Sequence, residues 1–405
     1  MGEAERRGAG AAQPRLRASV VGARYDRATR PYIRLDAMQK RTLGALRGAI
    51  ERGEIALEHA GCPVCRGDCS DRIASIDRYL LPIHHDLCRT CGFLYSSRRL
   101  ASGSADHFFN EYYVPLHGGS TRTDDVYFAN QRTHGAFVLD FVRPVLRPGL
   151  RVAEFGCGPG GILAVLAEQG AAVTGYELNE HFTTARRAGR PPIVHGTIES
   201  ALAQGLSYDL VLLPHLLNLL FDPLDVLRKV RRLTADGGYV YIEVPGLRAY
   251  HEGHYSLCGN PQRHPYGGDL MRGLALPQNF YFDASVMTYL LEQAGFAVTR
   301  STELLRVLAK AVPGEVPDTR SPAQALAGNY ATNIEYLKRL EASRQRSAPR
   351  NAAIAAVALP ARVARHMAAK LFKAFRLRIS DARTALLESR AAAPAEGPRR
   401  RRRRL

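Results

Sequence analysis

The stretch that decides the reading of this chain is Arg151-Val152-Ala153-Glu154-Phe155-Gly156-Cys157-Gly158-Pro159-Gly160-Gly161. Its first five residues have strand character, and its glycines lead straight into an apolar helical run, GILAVLAEQG. Gly156, Gly158, Gly160 and Gly161 let the backbone approach a ligand closely and present amides at a helix N-terminus. A turn made only for packing is the competing reading. The acid that follows at Glu177 weighs against it.

Outward from this turn, strands are expected at Arg151–Phe155, Ala172–Glu177, Pro192–His195, Tyr208–Leu213 and Tyr239–Val244, with helical stretches between them. Such alternation implies parallel strands joined by right-handed crossovers. Two later runs, FAVTRSTE and LLRVLAKAV, are spaced as a closing hairpin. The predicted fold class is therefore α/β, a Rossmann-like sheet of seven strands.

The glycine spacing suits two cofactors. Gly156, Gly158 and Gly161 match the dinucleotide fingerprint, whereas Gly156, Gly158 and Gly160 match the loop of S-adenosylmethionine enzymes. Glu154 separates them, because a carboxylate at the end of the first strand repels a pyrophosphate but accepts from the ammonium group of a methionine moiety. Glu177 stands where a carboxylate takes ribose hydroxyls in either cofactor. The candidate cofactor-binding set is Glu154, Gly156, Cys157, Gly158, Gly160, Glu177 and Leu178. An NAD(P)-binding Rossmann enzyme remains the alternative.

Upstream, Cys62, Cys65, Cys88 and Cys91 form two Cys-x-x-Cys pairs, a spacing that suits tetrahedral Zn2+. Four thiolates leave no open position, so the zinc is expected to be structural. Arg66 and Arg89 could offset its charge, and Cys69 is a spare thiol. His251, His254, Cys258 and His264 form a second polar group, read as a loop over the pocket rather than a metal site.

The formal charge is +18, yet it is unevenly placed. Residues 342–405 hold 17 Arg and Lys against 3 acids, and residues 1–60 hold 12 against 7, so the middle is close to neutral. Attraction for polyanions belongs to the ends. Leu359, Val363, Met367, Leu371, Phe375 and Ile379 recur every four residues between cationic positions, and Arg399–Arg404 follow. This is the pattern of a basic amphipathic helix that packs on the enzyme or lies on an anionic membrane surface; nucleic acid is not expected. No run approaches the roughly 20 apolar residues of a membrane-spanning helix, and no signal-peptide core follows the N-terminus, so a cytoplasmic protein, peripheral at most, is expected. The expected organisation is a flexible basic arm over 1–34, a helix plus four-cysteine domain over 35–100, and a main domain over 101–313 whose first part, 101–150, forms lid helices. A connector with a helix over 314–342 and the basic tail over 343–405 complete it. The first helix is expected over Leu35–Ala60.

The segments CPVC, CRTCGFLY, VAEFGCGPGG, VTGYELNE, YDLVLLPHLLNLLFDPLDVLRKVRRLTADGGYVYIEVPG and FDASVMTYLLEQAGF together resemble the bacterial class I S-adenosylmethionine-dependent methyltransferases. The cysteine knuckle ahead of the main domain is similar to enzymes of sugar-nucleotide, polysaccharide and secondary-metabolite pathways, which implies a small-molecule, sugar-nucleotide or glycan acceptor. The chain departs from the sugar C-methyltransferases at two places. Leu276, Pro277 and Gln278 stand where those carry His-Glu-His, and Asn218 and Leu219 stand where a Glu-His pair is common. O-methylation and N-methylation are thereby as open as C-methylation. His215, just past the fourth strand, is the candidate base, with Tyr281 as a second catalytic candidate; a strand-end cap is the competing role for His215. Tyr112, Tyr113 and His117 are candidate lid residues. The rival from another class is a polyanion- or membrane-binding protein carrying a vestigial methyltransferase domain.

Overall fold

The structure is a computed structural model that describes residues 17–121, 123–184, 189–248, 269–302, 305–314 and 320–346. The chain divides into two compact units, Met1–Ala342 and Ser343–Leu405. The expected tail helix, the Arg399–Arg404 run and the group His251, His254, Cys258 and His264 lie outside the described residues. No described helix is long and apolar enough to cross a membrane.

Asp36 caps the helix Ala37–Glu51 by accepting from the Gln39 amide. This helix is shorter than its apolar stripe suggested, because Gly53 adopts φ 77° and turns the chain into an extended segment. That segment, β1 (Leu57–His59), joins a small antiparallel sheet with β2 (Ser70–Ala74), β3 (His84–Cys88) and β4 (Leu94–Leu100), in the order β1-β4-β3-β2.

The larger sheet has seven strands in the order β11-β12-β9-β8-β5-β6-β7. They are β5 (Arg151–Phe155), β6 (Ala172–Glu177), β7 (Ile193–His195), β8 (Tyr208–Pro214), β9 (Thr234–Glu243), β11 (Phe296–Ser301) and β12 (Arg306–Ala311). Strands β5 to β9 run parallel, while β12 is antiparallel to both β9 and β11, which makes the closing hairpin. Strand order reverses between β5 and β8, so a crevice opens there at the carboxyl ends of the strands. Beneath it the sheet is buried on both faces, Val152, Leu210, Leu212 and Tyr241 on one and Ala153, Val211, Val240 and Ile242 on the other, as a parallel sheet requires.

Two connections tie the sheets together. A short strand β10 (Phe280–Tyr281), which follows β9 in the chain, pairs with β4 of the small sheet. The aromatic rings of Phe280 and Phe282 then pack on Phe93 at 5.7 and 5.1 Å. The second connection is polar. Asp283 caps the helix Ala284–Gln293 with one oxygen, and its other oxygen accepts from Asn329 at 3.0 Å and Asn333 at 2.7 Å. The same two amides also donate to the carbonyls of Cys91 and Gly92. Asp283, Asn329 and Asn333 are all buried, so each bond is made where water cannot replace it. Substituting Asp283 with Ala removes a cap and leaves one N–H of each of two buried amides unpaired; urea unfolding should report a loss of about 3 kcal/mol.

Candidate active site

The turn after β5 is held by backbone bonds that need glycine. Gly156, Gly158 and Gly160 have φ of 71°, 52° and 81°, a region that costs other residues about 1–2 kcal/mol. Gly156 and Cys157 both donate to the Tyr176 carbonyl, at 2.8 and 3.2 Å, which draws the turn against β6. The helix Asp124–Val142 closes over the other side. Its Gln131 accepts from the Gly161 amide at 2.9 Å and donates to the Cys157 carbonyl at 3.0 Å. Gly161 is obligatory for that approach, since a Cβ there would lie 2.5 Å from the Phe128 carbonyl oxygen.

Two carboxylates face this turn. Glu177, at the end of β6, accepts from the amides of Gly158, Leu178 and Asn179 at 2.8 to 2.9 Å. A carboxylate offers about four acceptor positions, so one is left for a ligand hydroxyl, and a second hydroxyl would displace the Gly158 amide. Glu154 is the opposite case. It is 1 % exposed, and neither carboxylate oxygen has a hydrogen-bond partner. Burial, and then the charge of Glu177, push its carboxyl well above the usual range, with the Leu163 amide acting weakly the other way. A buried acid without partners is costly in a folded protein, by about 1–3 kcal/mol even when neutral. A cationic group in the crevice would reverse that penalty, which fits the ammonium of S-adenosylmethionine and opposes the pyrophosphate of a dinucleotide.

His215 follows β8 in a left-handed conformation, φ 56°, with its amide donating to the Glu243 carbonyl at 2.6 Å. Its side chain is 22 % exposed. The next residue, Leu216, lies against the glycine turn, 3.2 Å from where a Gly156 Cβ would sit. His215 therefore stands at the edge of the crevice. Burial lowers its imidazole to about 4, with Glu243 raising it and His134 and Arg306 lowering it. The ring is thus neutral at physiological pH.

The four knuckle cysteines converge. Cys62 and Cys91 sulfurs are 3.5 Å apart, Cys65 and Cys88 sulfurs 3.3 Å, and all four lie within 4.8 Å of one another. These separations exclude disulfides, and a tetrahedron of sulfurs about 2.3 Å from an ion has edges of about 3.8 Å. Each pair sits on the same turn: the Arg66 amide donates to Cys62 and the Gly92 amide to Cys88, both at 2.9 Å. Both donors have left-handed φ, 60° and 71°.

Several expected residues are placed elsewhere by the fold. Tyr281 is fully buried in the core behind β4, where its hydroxyl accepts from the Ala275 amide and its ring meets His85 edge-on. It is a packing residue of the small sheet rather than of the crevice. The Cys157 sulfur is buried against Gly175, whose Cβ would come within 2.6 Å of it, so this residue contributes backbone only. Leu178 is exposed and offers its amide to Glu177. Tyr112, Tyr113 and His117 pack with Leu43, Tyr79 and Phe108 beside the first helix, not over the turn. Tyr127 and Gln131 do cover it: a Cβ on Gly158 would meet both, at 3.3 and 3.2 Å. Arg66 and Arg89 are committed to Asp222 and Asp71.

The raised Glu154 carboxyl has a thermal signature. A folded-state value above the unfolded one means that stability is full below the unfolded value, near 4.5, and falls as pH rises toward the folded value. Glu243 is depressed, so its contribution is complete above that point and adds no slope there. Melting temperature measured from pH 5 to 9 should decline more for the wild type than for Glu154→Gln, and parallel curves would remove the effect.

A family model described as a methyltransferase domain matches residues 129–301. Curated relatives include the ubiquinone biosynthesis O-methyltransferases of Vibrio parahaemolyticus serotype O3:K6 (strain RIMD 2210633) and Vibrio vulnificus (strain YJ016). Each is 34% identical over 101 residues, covering 23% of this chain and 43% of the relative, so the chain spans less than half the length of these proteins. Among solved structures, the magnesium protoporphyrin IX methyltransferase of Synechocystis PCC 6803 with bound SAH has a TM-score of 0.36 and 17% identity, covering 52% of this chain and all of that one. With the seven-stranded order, the glycine turn and the matched model together, residues 129–301 of this chain carry a methyltransferase domain.

Proposed function

We propose that this protein transfers a methyl group to a hydroxyl of a small-molecule acceptor, a class that includes sugar nucleotides and glycan intermediates. The observation that carries the reading is Glu154, whose two buried oxygens have no partner at the turn where a methyl donor binds. S-adenosylmethionine supplies an electrophilic methyl group when bound. Glu154 would hold its ammonium end, Glu177 a ribose hydroxyl, and the Gly156–Gly160 backbone its close edge. O-methylation is favoured by the likeness to the ubiquinone biosynthesis O-methyltransferases over the matched 101 residues. His215 is the group at the crevice edge suited to take the hydroxyl proton, since burial holds its imidazole neutral.

The knuckle fits one structural zinc ion held by Cys62, Cys65, Cys88 and Cys91. With four thiolates it has no place for a reactant; its role is to hold the small sheet, whose β4 pairs with β10. The expected setting is the cytoplasm, and docking of the basic tail on an anionic membrane face belongs to the same proposal.

Two measurements test these assignments. Isothermal calorimetry with S-adenosylmethionine and S-adenosylhomocysteine should show Glu177→Ala binding both about 10- to 100-fold more weakly than wild type, the loss of one charge-assisted bond; unchanged affinity would remove Glu177 from the pocket. Elemental analysis should find about one zinc per chain, and Cys88→Ser should lose it and melt at lower temperature. A folded, zinc-free wild type would refute the knuckle assignment.

A further inference from the structure

Beneath the crevice edge, behind His215, lies a buried group of charged and polar side chains centred on Glu243. The Glu243 carboxylate, at the end of β9, is fully buried. One oxygen accepts from the Tyr241 hydroxyl at 2.6 Å and lies 2.8 Å from His134 Nε2. The other accepts from Arg306 Nε at 3.0 Å and lies 3.8 Å from His215 Nε2. Three of the four acceptor positions are thus engaged, and the fourth is on the oxygen nearest His215. The two imidazole rings are 5.5 Å apart.

We infer that Glu243 and His215 form a carboxylate–imidazole pair for proton removal, and that His134 is the positioning residue that aims the carboxylate. This rests on the reading of the crevice as a methyl-transfer site. The acceptor oxygen forms its bond to the methyl carbon as the carbon–sulfur bond breaks, leaving a neutral thioether. The hydroxyl proton passes to Nδ1 of His215, while Nε2–H turns toward Glu243. Positive charge therefore leaves sulfur and arrives beside a carboxylate already fixed in place.

The same three groups, His134, His215 and Glu243, lie close enough to ligate a metal ion. Arg306 argues for the proton reading, because its guanidinium occupies the carboxylate oxygen nearest His215 and already balances the charge. His134 comes from the helix that carries Gln131 one turn earlier, on the glycine turn. One rigid element thus positions both the donor turn and the proton acceptor's partner.

Among the described residues, the charged and titratable groups acting on His215 include Glu243, His134 and Arg306, with Tyr241 bonded behind the carboxylate. In full-length protein labelled with 15N-histidine, two-bond nitrogen–proton NMR spectra should show neutral His215 protonated at Nε2. In Glu243→Gln that tautomer preference should be lost; His134→Ala should weaken it, and His134→Gln, which keeps a donor, should restore it. Arg306→Gln should raise the His215 midpoint by about one pH unit. A tautomer and midpoint identical in wild type, Glu243→Gln, Arg306→Gln and His134→Ala would overturn the pairing. So would stoichiometric zinc binding at micromolar concentration beyond the knuckle ion, with His134 and His215 signals shifting together. Calorimetry with S-adenosylhomocysteine on the same variants separates the two levels: donor binding that persists while the tautomer is indifferent sinks the pair alone, and no donor binding in wild type sinks the methyl-transfer reading.

Discussion

The larger domain is arranged around one electrostatic constraint, two acidic side chains brought to the carboxyl ends of neighbouring parallel strands, one of them fully buried. Glu177 is stabilised by three backbone amides, whereas the Glu154 oxygens make no hydrogen bond and feel only the weak pull of the Leu163 amide. The chain cannot relieve Glu154 internally without adding a cation, and no described Arg or Lys reaches it. The glycines, the close contact of the Asp124–Val142 helix and the seat of Leu216 on Gly156 fix the turn beside that oxygen pair, and the proposed function gives the pair a ligand that brings its own positive charge.

A second group of charges, around Glu243, is solved in the reverse manner. There an arginine, a tyrosine and a histidine converge on one carboxylate, and the hydrogen bond from His134 with the neighbouring charges outweighs the upward push of burial, so the acid stays ionised. A half-satisfied network of this kind would be worse than an apolar core. The two carboxylates are separated by the register of three strands, Glu154 beside Leu212 and Glu243 beside Pro214, which places both along the crevice side of the sheet.

The strands, the closing hairpin, the glycine turn and the converging cysteines were legible because each rests on local chemistry: a period in the side chains, a backbone angle, a ligand spacing. β5 and β6 begin and end where their residues suggested. What was not legible depends on pairing across long separations. His134 sits in a helix whose apolar stripe gave no reason to single it out, and its partner is 109 residues away. The aromatic run near Tyr112 carried the composition of a lid, yet its rings are consumed by the first helix and Tyr79. A signal for Gln131 was present only in Gly161, a glycine beyond the turn's own needs. Tyr281 sat beside a segment that reads as catalytic in similar enzymes, but strand pairing with β4 turns it into the core.

The short strand β10 has a consequence for how this architecture can change. Because it is donated to β4 from a point far along the chain, the small sheet is not an appendage that recombination could remove at residue 100. A chain starting after β4 would leave Phe280 and Phe282 facing water and the Asn329–Asp283–Asn333 contacts without their Cys91 and Gly92 carbonyls. The cysteine-bearing sheet and the larger domain thus depend on each other to fold, and the loops that touch neither are where an added segment would disturb least.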